Sequence, residues 1–404
     1  MDFYQRAAKF GHSRQRLDAG EAVRSTIIIP NIYALREFLD EGYTEAERLQ
    51  LALELFGNIK PTNPETDGSA SGILRRIEGY LYGNELLYEE DRVRTEALFP
   101  MHIETLSEKD ATVNTVQNLG TGGAVEERNY GTLTLEPGGC FVIYNKPLVF
   151  HVETLIRNGG GTDKYSDFTI FGATGPEGGV GDTGGKGSDG DPGAKGTCKS
   201  PGVPGNAGGP GKTGGAGITG GTGKIGQTGG ASLSATITIS KSIQGSNPFI
   251  NVSTRSGTGG KGGKGGRGGT GGVGGRGGDG ESCGCDGTNA GNGGRGGTGG
   301  AGGRGGTGGN GIKAEGNIVV TVPAGFLDNV RKFEWPAPPG GGGDPGGGGP
   351  KGGGGGGGTG GGAGACPRHS GGTKGGDGSD GGSGVQGNGG SASGDAAQII
   401  VKQL

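Results

Sequence analysis

Hydrophobic and polar positions follow three different rhythms along the chain. In the first, up to about residue 110, apolar residues recur at helical spacing. Thr44-Glu-Ala-Glu47 reads as a capping box, in which a hydroxyl and a carboxylate satisfy free backbone N–H groups. Leu49, Ala52, Leu53 and Phe56 then share one helical face, and Gly57 is a natural stop. Ile73 to Tyr82 and Leu86 to Leu98 read as further helices, with Ile73, Ile77 and Leu81 in step. In the second rhythm, from about Ala111, helical spacing gives way to short strand-like runs between turns. Thr132–Leu135, Cys140–Tyr144 and Leu148–Leu155 read as strands joined by Pro-Gly-Gly and Asn-Lys-Pro turns.

The third rhythm has a period of three. From Gly172 to Gly229 glycine holds every third position, and Lys199 takes the one glycine place that fails. From Gly257 the unit becomes Gly-Gly-X, and from Gly340 the chain is almost pure glycine. Each run is interrupted once near its middle, at 197–201, 281–290 and 366–369. Six legs result, at about 172–197, 202–230, 257–280, 291–311, 340–365 and 370–394. Strand-like segments precede, separate or follow the pairs of legs: Phe168–Phe171, Leu233–Ile239, Phe249–Thr254, Ile318–Val322 and Ala397–Val401.

Three residues per turn is the repeat of the extended left-handed polyproline-II helix, which rises about 3.1 Å per residue and has no internal hydrogen bonds. Its backbone groups need outside partners, and glycine lets neighbouring chains come close enough to supply them. Disorder, a collagen-like trimer and one chain folded back on itself all suit such a composition. Legs of equal length separated by recurring strands favour the last. The expected fold class is an α+β N-terminal region followed by a glycine-rich polyglycine-II helix bundle of three hairpins on a small β base. The expected division is a helical attachment domain (1–110), a β-rich connecting domain (111–171) and the bundle (172–404). Legs 172–230, with one bare row, are expected outside, legs 257–311 half enclosed, and leg 340–365 at the centre.

Composition adds limits. Of 404 residues, 108 are glycine and only 29% are hydrophobic, so the glycine-rich part cannot bury a conventional side-chain core. A net charge of -3 gives no general pull toward nucleic acid or anionic membrane. No apolar run approaches the roughly 20 residues of a spanning helix. The opening MDFYQRAAKFGHSRQR lacks the apolar stretch of a secretory signal, so action outside a cell implies exit by lysis or on a particle. Lys261, Lys264, Arg267, Arg276, Arg295 and Arg304 make legs 257–311 basic, but no aromatic residue is interleaved for base stacking. They read as solvated rows.

No catalytic constellation emerges, no cofactor motif stands out, and the chain is not expected to be an enzyme. His102 and His151 lack partners in any motif and read as structural. Glu89-Glu90-Asp91 reads as a solvated helix face. Four of the five cysteines, Cys198, Cys283, Cys285 and Cys366, fall at the three breaks. Hairpins would bring the breaks to one end, so these four are disulfide candidates, with three possible connectivities. Unlinked thiols and a metal site with His369 are the rivals, although the spacing matches no standard zinc pattern. Cys140, between apolar strand neighbours, reads as a buried free thiol.

An N-terminal region followed by glycine-rich runs that alternate with short loops resembles the tip adhesins of T-even-type bacteriophage long tail fibres. The resemblance covers about 165–404 and rests on architecture. The chain departs from that family in its longer helical N-terminus, its tip cysteines and its short tip loops. The resemblance implies a virion protein that contacts other virion proteins (fibre, tail or capsid) through residues 1–160. It also implies a bundle whose tip meets a host surface protein or glycan, with neither nucleic acid nor membrane insertion. The tip residues it implies as contacts are Lys199, Ser200, Pro201, Glu281, Ser282, Asp286, Thr288, Asn289, Pro367, Arg368 and His369. A collagen-like or glycine-rich filament protein of a cell surface is the alternative.

Overall fold

Alternating apolar residues wind the chain between two facing sheets, as seen in a computed structural model. The structure describes residues 1–40, 46, 69–83, 85–122, 124–362 and 367–404. The Thr44–Glu47 capping box, the Leu49–Phe56 face and Gly57 lie outside them. Helices α1 (Phe3–Lys9), α2 (Arg14–Asp18), α3 (Ile32–Asp40), α4 (Ala70–Tyr82) and α5 (Glu89–Thr95) are short and confined to the first hundred residues. The strands that follow or intervene are β1 (Val23–Ile29), β2 (Met101–Val113), β3 (Val116–Thr121), β4 (Val125–Leu135), β5 (Cys140–Tyr144), β6 (Leu148–Arg157) and β7 (Phe168–Phe171). Beyond the first glycine leg come β8 (Cys198–Ser200), β9 (Val203–Pro204), β10 (Ala235–Gln244), β11 (Ile250–Arg255), β12 (Ile318–Val322), β13 (Val330–Trp335) and β14 (Ile399–Gln403).

The seven-stranded sheet runs β1-β2-β4-β6-β10-β12-β14, and the five-stranded sheet runs β13-β11-β7-β5-β3. From β2 onward the chain alternates between them, and within each sheet the pairings from β2 onward are parallel. The chain is therefore a coil with one strand per sheet in each turn. Only β1, antiparallel to β2, departs from this and caps one end of the larger sheet. The two sheets bury Phe141, Phe150 and Phe168 with ring centroids 4.9–5.6 Å apart. Ile237, Ile250, Val320 and Ile399 extend that core through the later coils. Each such side chain contributes about 1.5–3 kcal/mol by leaving water.

Outside the coil, α1 starts with a capping box, Asp2 accepting from the Gln5 N–H at 2.8 Å and Gln5 accepting from that of Asp2. It lies on the larger sheet, where Asn129 Nδ2 donates to the Phe3 carbonyl at 3.0 Å. Glu89-Asp91 is not a wholly solvated face. Asp91 is buried and accepts two hydrogen bonds from Arg76, at 2.6 and 2.8 Å, joining α5 to α4.

Each glycine hairpin is inserted at the same turn of successive coils. The connection from the smaller to the larger sheet takes only residues 145–147 between β5 and β6. Between β7 and β10, β11 and β12, and β13 and β14 it carries a hairpin instead. We number the legs 1 (172–197), 2 (205–230), 3 (257–280), 4 (290–311), 5 (340–361) and 6 (370–394). Legs 1, 3 and 5 continue the parallel strands β7, β11 and β13. Legs 2, 4 and 6 lead back to β10, β12 and β14. The sheet spacing of about 4.8 Å is thereby handed on to the legs.

One cross-section shows the lattice. Along the outgoing layer, Gly181 N donates to Lys264 O at 2.8 Å and Gly265 N to Asp344 O at 2.9 Å. Along the returning layer, Gly220 N donates to Ala301 O at 2.9 Å and Gly302 N to Gly382 O at 2.8 Å. Between layers, Gly221 N reaches Asp182 O, Gly266 N reaches Gly221 O, Gly303 N reaches Gly266 O, and Gly346 N reaches Gly303 O, all at 2.7–2.9 Å. The pattern repeats every third residue. Glycine is required where the layers meet: a Cβ on Gly266 would stand 1.9 Å from the Asp182 carbonyl oxygen.

These facts correct the expected fold class. The described residues form mostly β structure, a large mixed sheet with a second parallel sheet and short helices, an α/β arrangement without a helix bundle. The β part is not a small base, because the sheets draw strands from the whole chain and contain its side-chain core. Nor do the sheets divide at 110/111 or 171/172. Strand β2 crosses the first boundary, and β6 pairs with β10 across the second.

The expected order of legs is corrected too. Legs 3 and 4 are the enclosed ones: leg 3 bonds to legs 1, 2, 4 and 5, and leg 4 to legs 2, 3, 5 and 6. The almost pure-glycine leg 5 lies at the rim, because its hairpin belongs to the last coil. A Cβ on Gly341, Gly347, Gly353 or Gly356 would meet nothing within 4 Å. The rim is closed by side chains. Lys374, Asp377, Asp380, Ser383 and Gln386 of leg 6 stand where leg 4 has Gly293, Gly296, Gly299, Gly302 and Gly305. Asp380 Oδ1 accepts from the Lys351 N–H at 2.9 Å and Asp377 Oδ1 from that of Gly354 at 3.0 Å, while Pro345 has no donor to leave free. Such plugs discourage a further chain from adding to an open edge.

Candidate functional site

The breaks in the period of three are the far ends of the hairpins, and the lattice brings them together. In the first, β8 and β9 form a small antiparallel ribbon that turns at Pro201-Gly202, with Gly202 at φ +80°. In the second, Ser282 and Gly287 form an isolated antiparallel bridge around Gly284, at φ +82°. A disulfide joins these two ends, Cys198 to Cys283, with Cα atoms 5.7 Å apart and 85 residues of separation. Closing a loop of that length removes about 4–5 kcal/mol of unfolded-chain entropy. Cys285 is disulfide-bonded as well, and Cys366 lies outside the described residues. Cys140 is a buried free thiol, and burial pushes its pKa up to about 11.

The third end is tied to the second by polar contacts. His369 Nε2 lies 2.6 Å from Asp286 Oδ1, and the Gly362 N–H donates to Ser282 Oγ at 2.8 Å. The Ser370 N–H donates to Asn289 Oδ1 at 3.1 Å. The Gly287 N–H and then His369 hold the Asp286 carboxyl below its usual range. Lys195 of leg 1 pairs with Glu281, which lowers the Glu281 pKa and raises that of Lys195. Three loops thus share one braced surface.

Of the tip residues singled out from the sequence, Lys199, Ser200, Pro201, Ser282, Asn289, Pro367 and Arg368 are exposed. Glu281, Asp286 and His369 are half-buried in the braces just described. Thr288 is corrected: it is buried, and its hydroxyl accepts from the Glu281 N–H at 2.8 Å, so it shapes the loop from inside. Among the described residues, no group of three or more His, Cys, Asp and Glu side chains is placed to hold a metal ion.

The basic row is divided. Lys261, Lys264, Arg267 and Arg276 belong to the outgoing layer, Arg295 and Arg304 to the returning one. Several are paired locally, Lys261 with Asp344 at 2.8 Å and Arg276 with Asp279 at 2.8 Å. Of the histidines, His151 is half-buried beneath α1, 3.1 Å from Arg6, and desolvation and then the Arg6 charge hold its pKa well below the usual value. No helix among the described residues is long and apolar enough to cross a membrane.

Sequence reasoning missed one feature altogether. The outer face of the smaller sheet carries an open groove of about 470 Å³ between the loop 158–166 and β13, lined by Tyr165, Phe333 and Trp335. Its signal was present, since the only tryptophan of the chain falls in the short segment 330–335 between two glycine hairpins. No family model, curated protein or solved structure matches the chain.

Proposed function

We propose that the protein is a non-enzymatic attachment protein of the virion tail-fibre type. On this reading, residues 1–160 dock on other virion proteins, and the leg array projects the tip toward the host surface. One observation carries the proposal: three loops distant in sequence are held as one rigid surface by the Cys198–Cys283 disulfide and the Asp286–His369 contact. Loops ordered in advance lower the entropic cost of binding a partner. The lattice supports the reading as well, because legs of some 24 residues reach ~75 Å at 3.1 Å per residue. Such reach suits presentation of a surface better than enclosure of a substrate.

The contact residues on this reading are Lys199, Ser200, Pro201, Ser282, Asn289, Pro367 and Arg368. The test replaces Lys199, Ser200, Pro201, Pro367 and Arg368 by Gly or Ser, leaving every cysteine and the brace residues Ser282, Asp286, Asn289 and His369 in place. Particles carrying the variant are expected to lose adsorption to host cells while still incorporating the protein. Undiminished adsorption, with the array intact by hydrogen exchange, would reduce the protein to a structural spacer.

A further inference from the structure

The groove on the smaller sheet is a second candidate site, far from the tip and independent of what the tip contacts. Cross-strand pairing sets its floor. Asn251 opposes Arg331, Ser253 opposes Phe333 and Arg255 opposes Trp335, so these side chains share the outer face. Phe333 and Trp335 lie two residues apart on the last strand, with ring centroids 6.0 Å apart and planes 29° from parallel. Nearly parallel and in contact, they form one continuous apolar platform. Large aromatics normally repay burial, yet these are 39% and 43% exposed.

The opposite wall is built in advance. Thr162 N donates to Tyr165 O at 2.8 Å, and Tyr165 N donates to Thr162 Oγ1 at 2.9 Å, which fixes the turn. Below it, the buried Arg157–Asp167 pair at 2.8 Å anchors the loop, and Asp167 Oδ2 accepts from the Asn251 N–H at 2.7 Å. Gly160 and Gly161, at φ +60° and +65°, keep that wall low. A Cβ on Gly160 would stand 2.2 Å from Asp167 Oδ1.

The chemistry of the lining selects the ligand. Within the groove Asp163 and Lys164 supply one charge of each sign, while Arg331 and Arg255 lie over the rings of Phe249 and Phe171 and do not line it, so the lining suits neither a polyanion nor a polycation. Lys164 lies over the Tyr165 ring at 4.9 Å, but an apolar peptide or acyl chain would offer Asp163 and Asn251 no partner, at a cost for each polar group it covered. A ring with an apolar C–H face and a rim of hydroxyls satisfies both halves of the groove. Its face lies on the aromatic platform, while Asp163, Asn251 and the Ser166 hydroxyl meet the rim. The volume lies within the range of small-ligand clefts, roughly 300–1,000 Å³. We propose that this groove binds a neutral saccharide stacked on Phe333 and Trp335.

Because Trp335 is the only tryptophan, its emission reports the site directly in the full-length protein. Maltohexaose, cellohexaose and chitotetraose are each titrated to roughly 10 mM, within the millimolar to micromolar affinities of a shallow site. At least one is expected to give a saturable emission change. Asp163→Ala and, separately, Tyr165→Ala should weaken that titration about tenfold or more, equivalent to roughly 1.4 kcal/mol. The tip variant Lys199→Ala should leave it unchanged, so failure here and failure of the tip reading are told apart. Absence of a saturable change with all three saccharides overturns the proposal. So does a change that both groove variants leave intact, or one that follows protein concentration alone and thus reports self-association.

Discussion

The sheets and the leg array have the same coil spacing but opposite interiors. Between the sheets, Phe141, Phe150 and Phe168 fill the space, and stability comes from the volume and apolar area of side chains. Between the leg layers almost no side chain is present, and the backbones themselves are in contact. A lattice of hydrogen bonds gains only modestly over solvation by water. Ordering glycine costs more entropy than ordering any other residue. The array therefore depends on its two ends, where β strands set the spacing on one side and the disulfide and polar braces fix the loops on the other. The legs are therefore expected to lose order with the sheets, and the sheets to survive disorder of the legs.

Two substitutions test that dependence. Phe150→Ala should cost about 3–5 kcal/mol, and because β6 pairs with β10 it should also remove hydrogen-exchange protection from leg glycines. Gly266→Ala should strip protection from legs 1 to 5 while the amides of β4 and β6 remain protected. If Phe150→Ala loosens the sheets and leaves the legs protected, the array is autonomous and the dependence is wrong. At the other end, Cys198→Ser paired with Cys283→Ser should lower unfolding stability by about 4 kcal/mol, the closure entropy of the joined loop. A loss confined to a few tenths would mean that the polar braces alone hold the tip.

The two regions also differed in how far they could be read from sequence. The period-three breaks at 197–201, 281–290 and 366–369 located the loops, the flanking turns located Cys140–Tyr144, and Phe168–Phe171 was read as the segment leading into the first leg. The coil was not legible, because its parallel pairings join residues as distant as Leu148 and Ala235 and no local turn announces them. Strand β13 was missed because all six of its residues retain exposure, so it shows no alternation of burial. Leg 5 misled most. Counting glycines put it at the centre, yet a position in the lattice is set by which coil the hairpin leaves. The usable signal was the comparison of equivalent rows, where Lys374, Asp377 and Asp380 interrupt a row that is all glycine in leg 4.

Electrostatics beneath α1 give the next-largest effect and separate the sheet region from the legs again, since the legs bury no ionisable side chain of this kind. Burial raises the Glu127 carboxyl to about 7. The protonated form is favoured in the fold, so this contribution is full below pH 4.5 and is lost as pH rises through about 7. Neighbouring His151 acts in the opposite sense, its contribution being present above pH 6.5 and lost on acidification. Glu127→Gln isolates the first. In urea unfolding its advantage over the parent should grow from near zero at pH 4.5 to about 3 kcal/mol at pH 7.5. A difference that does not change with pH would mean that Glu127 is not desolvated.

The smallest effect makes the sharpest comparison, because it lies between consecutive residues of leg 5. Gly352 faces the array, and a Cβ there would stand 1.9 Å from the Gly272 carbonyl oxygen. Gly353 faces outward, and a Cβ there would meet nothing within 4 Å. Neither has the positive φ that would penalise alanine by itself. Gly352→Ala must therefore displace backbone and destabilise the array. Gly353→Ala only narrows the unfolded ensemble, and it should stabilise by about 0.4–1 kcal/mol. Thermal unfolding of the two variants measures both signs. If both destabilise, glycine at the rim serves some purpose other than close approach. If neither does, the legs can separate enough to admit a methyl group, and the interior is not set by backbone contact.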